Sequence, residues 1–362
     1  MLIRLLLPGL IWPNPTAGSP ADGLALPCLE RLLGMGQLHR GPRCGRVDAL
    51  AGMFGLTESA PLAALRRRGE ADGDERVTGD VMNWLCADPV HLHFAREHML
   101  LSGPSTLEIT SDEASDLIAA LNLLLGELAS DHLSRGDGTA PRLPERFEAP
   151  HPDRWYLRLD QPTDTRFFAL DDVIGRPVTH FTPEGGDARQ WRRLLNEIEV
   201  MLHNHPVNRA REAEGRPTIN SLWLWGAADR IPPLAAPART LYASDPLAIG
   251  LARASGMHHL DTDTALDALT NDADTGDSVI VVDNLLHPAL QLDLARWRDA
   301  LAHLETNCFA PLLSRLRTRR LHGLKLIAPG DRACIELTIG PFDILKFWRR
   351  PRPLASLFGT SP

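Results

Sequence analysis

The segment His205-Pro-Val-Asn208-Arg-Ala-Arg211, closed by Gly215 and running into Asn220-Ser-Leu-Trp-Leu-Trp225-Gly226, gathers polar side chains ahead of an apolar strand. Asn208 and Arg211 stand three residues apart, so a helix starting at Pro206 puts both on one face, with His205 just before it. An amide and a guanidinium converging near a helix N-terminus suit a phosphate or a carboxylate. The plainer use of the same side chains is to tie that helix to neighbouring structure by hydrogen bonds. Asp88-Pro-Val-His91 supplies a second pair of expected ligand contacts, Asp88 and His91, against the commoner Asp-Pro that only stabilises a turn.

Metal chemistry has thinner support. Asp283-Asn-Leu-Leu-His287 keeps an Asp-x-x-x-His spacing at the end of an expected strand, where α/β sheets place ligands. One such pair is too few for a closed metal site, and Asp48 and Asp331 are the further carboxylates a rebuilt site would draw on. His91-Leu-His93 faces one way on a strand, and His203-Asn-His205 and His258-His259, with Asp261 and Asp263, add donors. A histidine-rich zinc hydrolase is thus a formal alternative, without an HExxH motif or regular ligand spacing behind it.

The elements that must position these groups are readable from periodicity. Residues 1–12 read as a buried first strand entering a Pro/Gly/Asn loop, followed by a helix over 27–34. Thr110-Ser-Asp-Glu113 is a capping box, and Leu117, Leu121, Leu124 and Leu128 then recur at helical spacing. Residues 155–159 read as a strand. Trp191, Leu194, Leu195, Ile198, Met201 and Leu202 mark an amphipathic helix, and Gly215 can end the helix begun at Pro206 in the left-handed conformation. The apolar runs 222–225, 240–242, 279–282 and 324–327 alternate with helices, notably one over 293–306 with Trp297, Leu301 and Leu304 inward. That rhythm predicts an α/β fold with a mostly parallel sheet. The tail from Phe347 is basic and proline-containing and reads as a flexible end, although its Phe-Trp-Arg-Arg run could touch nucleic acid or lipid.

Composition excludes several classes. A net charge of −8 argues against a general nucleic-acid binder, so no nucleic-acid partner is expected. Only two lysines occur, Lys325 and Lys346, neither in a Gly-Lys-Ser/Thr triplet, which removes a P-loop. The five cysteines are scattered with no CxxC pair, which fits reduced thiols and a cytoplasmic setting. The opening apolar run is broken by Pro8 and lacks a small-residue cleavage site, and no apolar run of membrane-spanning length follows, so no membrane partner is expected.

The 205–226 segment closely resembles the archaeal-type cofactor-independent phosphoglycerate mutases of the alkaline-phosphatase superfamily: His205, Asn208, Arg211, Gly215, Asn220, Trp225 and Gly226 match that family's order and offsets. Weaker likenesses lie in Arg66-Arg-Arg-Gly69-Glu70-Ala71 and Asp172-Val-Ile-Gly175-Arg176. The resemblance implies an alkaline-phosphatase-like core with an inserted smaller α+β lobe: core residues 1–78, inserted lobe 79–200, core again 201–362. It also implies two divalent metals and a Ser/Thr nucleophile. Here the chain departs. The first strand ends in Leu7-Pro8-Gly9 where the family has Asp-Gly, the late Asp-His pair is replaced by Asp331-Arg332, and only Thr57 and Ser59 lie where a nucleophile is sought. The Trp84-Leu-Cys-Ala-Asp88-Pro-Val-His91 stretch further resembles a bacterial group of mutase-like regulatory proteins, the RpfE type. The expectation is a non-catalytic or regulatory protein that binds a small phosphorylated or carboxylated metabolite or a regulatory protein partner, with no cofactor. The alternative is a divergent metal-dependent phosphotransferase or phosphatase using Mn or Zn.

Overall fold

The computed structural model describes residues 1–13, 19–56, 60–70, 83–95, 97–135, 144–228, 232–271 and 276–358. The chain divides into two compact units, one made of Met1–Thr57 and Leu234–Pro362, the other of Glu58–Pro233. The first segment of unit 1 supplies β1 (Leu2–Leu6), α1 (Pro27–Met35), β2 (Gln37–Gly41) and α2 (Arg46–Met53). Unit 2 then runs α3 (Leu62–Glu70), β3 (Trp84–Ala95), β4 (His98–Ser102), α4 (Ser111–Arg135), β5 (Arg146–His151), β6 (Arg154–Arg158), α5 (Ala188–Asn204), α6 (Pro206–Ala213) and β7 (Ser221–Trp225). The return to unit 1 gives β8 (Thr240–Tyr242), α7 (Pro246–Ser255), β9 (His258–Leu260), α8 (Thr262–Thr270) and β10 (Ser278–Val281). It closes with α9 (Leu286–Leu290), α10 (Leu294–Leu304), α11 (Ala310–Arg317), β11 (Gly323–Ala328) and β12 (Cys334–Ile339).

Unit 1 is an α/β fold around a seven-stranded sheet ordered β2-β12-β11-β1-β10-β8-β9. The five strands from β11 to β9 run parallel, and β12 and β2 add an antiparallel edge. Helices cover the sheet, so its central strands are short apolar runs buried on both faces, as in Ser-Val-Ile-Val of β10. One core joins Ile3, Leu5, Ile280, Leu324 and Leu326 of the strands to Trp297, Leu301 and Leu304 of α10. α10 starts where expected, with the Asp293 carboxylate accepting from the Arg296 N–H at 3.0 Å. A π-helical turn over Glu305–Phe309 then joins it to α11. As far as Phe358 the tail departs from the expected flexible end, and its last residues, 359–362, lie outside the described residues. Leu354, Leu357 and Phe358 are buried in the core, and the Arg349 guanidinium donates to the Met35 and Gly36 carbonyls at 2.7 and 3.1 Å. Apolar side chains after Pro353 outweigh the basic ones before it, so the segment packs.

Unit 2 centres on the long β3. It pairs antiparallel with β7 along 86–90, with β6 along 84–86 and with β4 along 91–95. Pro89 sits where the β6 pairing has ended and the β4 pairing has not begun, which is why a proline is tolerated inside this strand. α4 and α5 cover the sheet through Leu117, Leu121, Trp191, Leu194, Ile198 and Leu202 against Trp155, Leu222 and Leu224. The observed unit boundaries fall at 57/58 and 233/234, whereas the sequence placed them at 78/79 and 200/201. The difference arises because β7, an apolar run that reads as a strand of the parallel core, pairs with β3 instead and carries α5 and α6 with it.

Candidate binding site

The segment singled out by the sequence is built as a clasp. His205 ends α5 and caps α6, its Nδ1 accepting from the Val207 N–H at 3.3 Å. Burial lowers the His205 pKa, partly offset by Asp116, so the neutral imidazole needed as acceptor is favoured. Asn208 is buried and donates to the Leu202 and Ile219 carbonyls at 2.8 and 2.7 Å, while its oxygen accepts from the Ile219 N–H at 2.7 Å. Arg211 has no exposed surface. It donates to the Pro217 carbonyl at 2.8 Å, to both Glu113 oxygens at 2.9 Å, and to the Leu107 carbonyl. Glu113 also closes the expected capping box, accepting from the Thr110 N–H at 2.9 Å while its own N–H reaches the Thr110 hydroxyl at 3.2 Å. Burial opposes the Glu113 charge, yet the Thr110 N–H, Arg211 and Arg216 together hold its pKa below the usual value.

Asp88 lies inside β3 rather than in a turn, and is buried. Both its oxygens accept from Arg66, at 2.6 and 2.8 Å, and Trp225 Nε1 donates to it at 2.8 Å. Arg66 also donates to the Tyr156 hydroxyl at 2.8 Å, which donates to Glu70 at 2.9 Å. Burial opposes the Arg66 charge, but Asp88 and its neighbours reverse this and hold its pKa above the ordinary value. His91 Nδ1 is 2.8 Å from the Thr218 carbonyl, and its ring stacks on His93 at 5.6 Å, so the two do share a face.

Asp283 lies in the turn after β10, His287 on α9, Asp48 in the first turn of α2, and Asp331 is exposed beyond β11. Thr57 and Ser59 lie outside the described residues. Asp261 caps α8 through the Asp263 N–H at 3.2 Å, and His259 Nε2 is 2.8 Å from the Ala243 carbonyl. Among the described residues, no three His, Cys, Asp or Glu side chains gather as metal ligands. The end of β1, where the resemblance puts a metal carboxylate, holds a buried Pro8 and a Gly9 at φ +80°. A Cβ on Gly9 would stand 2.3 Å from the Leu285 carbonyl oxygen, and the Gly9 carbonyl is taken by Trp297 Nε1 at 2.7 Å. These residues do not fit a two-metal centre.

Unit 2 contains a cleft of about 270 Å³ that none of the expected contacts line. Its walls are Phe167, Phe168, Phe181 and Trp223, with Leu222 and Leu224 of β7 beneath. Phe168 meets Phe181 edge to face at 5.4 Å, and Trp223 Nε1 is anchored on the Phe168 carbonyl at 2.8 Å, so the aromatic wall is fixed. α5 lines one side with Arg192, Asn196 and Glu199, spaced at one helix face. The Ser221 hydroxyl donates to Glu199 at 2.7 Å, and among the described lining residues Arg192, whose Nε donates to the Ala188 carbonyl at 3.3 Å, is the cation. A pocket with apolar walls and few polar groups is the usual form of a small-molecule site. The available signals in the sequence were the Phe167-Phe168 pair and the polar edge of α5; what gathers them is the pairing of β7.

No protein-family model matches the chain. A 2,3-bisphosphoglycerate-independent phosphoglycerate mutase of Methanosarcina mazei is 29% identical over 135 residues, 36% of this chain and 30% of that protein. A probable enzyme of the same name from Geobacter sulfurreducens is 38% identical over 55 residues, 15% of this chain and 14% of that protein. The chain therefore matches less than a third of the length of these relatives. A solved cofactor-independent phosphoglycerate mutase from Thermoplasma acidophilum aligns with all of the chain and 95% of its own, at 16% identity and a TM-score of 0.43. Over the matched stretches the chain is homologous to the cofactor-independent phosphoglycerate mutases.

Proposed function

We propose that the protein is a non-catalytic, regulatory relative of these mutases that binds a small carboxylated metabolite in the unit 2 cleft. The observation that carries this reading is the cleft itself, with fixed aromatic walls and Arg192 at its side. Of the two ligand classes the sequence raised, a carboxylate with an apolar body suits it better than a phosphate ester. Glu199 shares the helix face with Arg192 and would repel a dianion, whereas a monoanion can reach Arg192 while its body lies on Phe168, Phe181 and Trp223. In this reading His205, Asn208 and Arg211 hold α5 and β7 in place and do not touch the ligand; Asp88 does the same for β3. The regulatory part rests on the sequence resemblance.

Calorimetric titration of the whole chain with phenylacetate, hexanoate and 3-phosphoglycerate, with and without Mn²⁺, tests the reading. Saturable binding of the apolar carboxylates, weakened about tenfold by Arg192→Ala for loss of one charge-assisted hydrogen bond, is the expected result. Binding unchanged by Arg192→Ala, or none at all, would remove the cleft as the site. Interconversion of phosphoglycerates in the presence of metal would remove the non-catalytic part.

A further inference from the structure

A second feature lies in unit 1 and is independent of the cleft. Four of the nine exposed large apolar side chains among the described residues fall within one short loop: Phe342, Leu345, Phe347 and Trp348, at 76%, 50%, 81% and 66% exposure. Single exposed apolar residues are ordinary on soluble proteins, but a contiguous group marks an interaction site. The loop is held in this display. Asp343 accepts from the Gly340 N–H at 2.8 Å and from Lys346 at 2.5 Å, fixing the turn that carries Phe342 and Leu345. Burial opposes the Asp343 charge, but Lys346 and the Gly340 N–H hold its pKa below the usual value, so the turn keeps its anchor at neutral pH. Downstream, Arg349 is bonded to the end of α1, the Arg352 N–H donates to the Glu30 carbonyl at 2.9 Å, and Leu354 is buried. Phe347 and Trp348 pack edge to face at 5.3 Å and stand away from the core.

Charge complementarity indicates what meets them. The chain carries a net charge of −8, yet Lys346, Arg349, Arg350 and Arg352 fall within seven residues, with Arg350 and Arg352 exposed. Protruding aromatic side chains flanked by arginines match the headgroup region of a bilayer, where rings settle at the interface and guanidinium groups meet phosphates. A protein interface would need a broad complementary patch with a packed centre, and side chains this exposed stand out from the surface instead. We propose that the 342–352 loop docks the protein reversibly on an anionic lipid surface, with Phe347 and Trp348 entering the headgroup layer and Arg350 and Arg352 binding lipid phosphates.

The test is co-sedimentation of the full chain with phosphatidylcholine vesicles with and without phosphatidylserine, together with quenching of tryptophan emission by brominated lipid. Partitioning should rise about tenfold with the anionic lipid and fall in high salt. It should be lost in Phe347→Ser/Trp348→Ser, along with the quenching, and in Arg350→Glu/Arg352→Glu. Both variants replace exposed side chains, and unchanged circular dichroism and thermal midpoint confirm their fold. Equal partitioning onto neutral vesicles, or binding that survives both variants, overturns the proposal. So does concentration-dependent self-association abolished by Phe347→Ser/Trp348→Ser without vesicle binding, which would make a second copy the occupant.

Discussion

Arg211 is among the largest fully buried side chains of the protein, and it ties Pro217, just beyond its own helix, to Leu107 and Glu113 of a distant segment. Removing it strands two carbonyls and leaves Glu113 only Arg216 and the Thr110 N–H, so Arg211→Ala should cost about 3–5 kcal/mol in urea denaturation. Arg211→Lys should recover only part of this, because an ammonium cannot reproduce the fork. A loss within experimental error would mean that water replaces these bonds. The same cluster sets an acid dependence. Glu113 has a folded pKa below its unfolded value, so its contribution is fully present above the ordinary carboxylate range and disappears as pH falls through the lower folded value. His205 acts in the same direction at higher pH: its pKa is also lowered by burial, so stability present above the ordinary imidazole value is lost as protonation removes the acceptor for the Val207 N–H. Glu113→Gln should therefore flatten the acid limb of stability against pH, read from thermal midpoints across acid buffers; an unchanged limb would refute the assignment. The sequence displayed this constellation plainly, since helical spacing alone aligns Asn208 with Arg211. It did not display its use, because Leu107, Glu113, Pro217 and Ile219 come from two segments about a hundred residues apart.

At the scale of elements, the π-helical turn after α10 has a physical function. α1 begins at Pro27 with no side chain of its own capping it. Glu305, in the first position of the π turn, reaches across and accepts from the Cys28 and Leu29 N–H groups at 2.6 and 3.1 Å. Pro27 has no N–H to offer, so a carboxylate there satisfies two of the three orphan donors that remain and complements the helix dipole. Burial pushes the Cys28 thiol pKa up, and the hydrogen bond and charge of the neighbouring Glu305 add to the rise. Glu305→Ala should cost about 1–3 kcal/mol, with Glu305→Gln in between, measured by chemical denaturation. A substitution costing nothing would show that α1 is capped by water. Regular helices were legible: α1, α5 and α6 follow from their periodicity, Pro27, Pro206 and Gly215. The π turn was not, since its signal is one carboxylate placed for a partner nearly three hundred residues away. β12 was missed although Ile335, Leu337 and Ile339 alternate onto one buried face; a strand of six residues gives a short signal. The cleft was illegible for a related reason, because its walls come from five stretches that converge only through the pairing of β7 with β3.

For the whole molecule, the decisive fact is that each unit closes its own ends. Within unit 1 the Ala235 N–H donates to the Phe54 carbonyl at 2.9 Å, bringing together the two points where the chain leaves and returns. Within unit 2 the Ala63 N–H donates to the Gly226 carbonyl at 2.9 Å, joining its first helix to the residue after its last strand. Gly226 has φ +79°, and a Cβ there would stand 2.8 Å from the Ala63 nitrogen, so only glycine permits this contact without a shift. The cores are separate as well: one cluster draws on β1, β10, β11 and α10, the other on β3, β6, α4 and α5. A continuous insert with its own sheet, core and closed ends should fold alone. Residues 58–233 expressed by themselves are expected to give one cooperative urea transition, and to keep whatever ligand binding resides in the cleft. Gly226→Ala in that fragment should lower the midpoint, through strain at positive φ and the displaced Ala63 backbone. A fragment without a cooperative transition would show that unit 2 borrows stability from unit 1. The bounds expected from the sequence and those of the two units differ for the reason that makes the insert self-contained: four apolar residues, 222–225, look alike as a parallel core strand or as the partner of β3, and only their neighbour distinguishes the two.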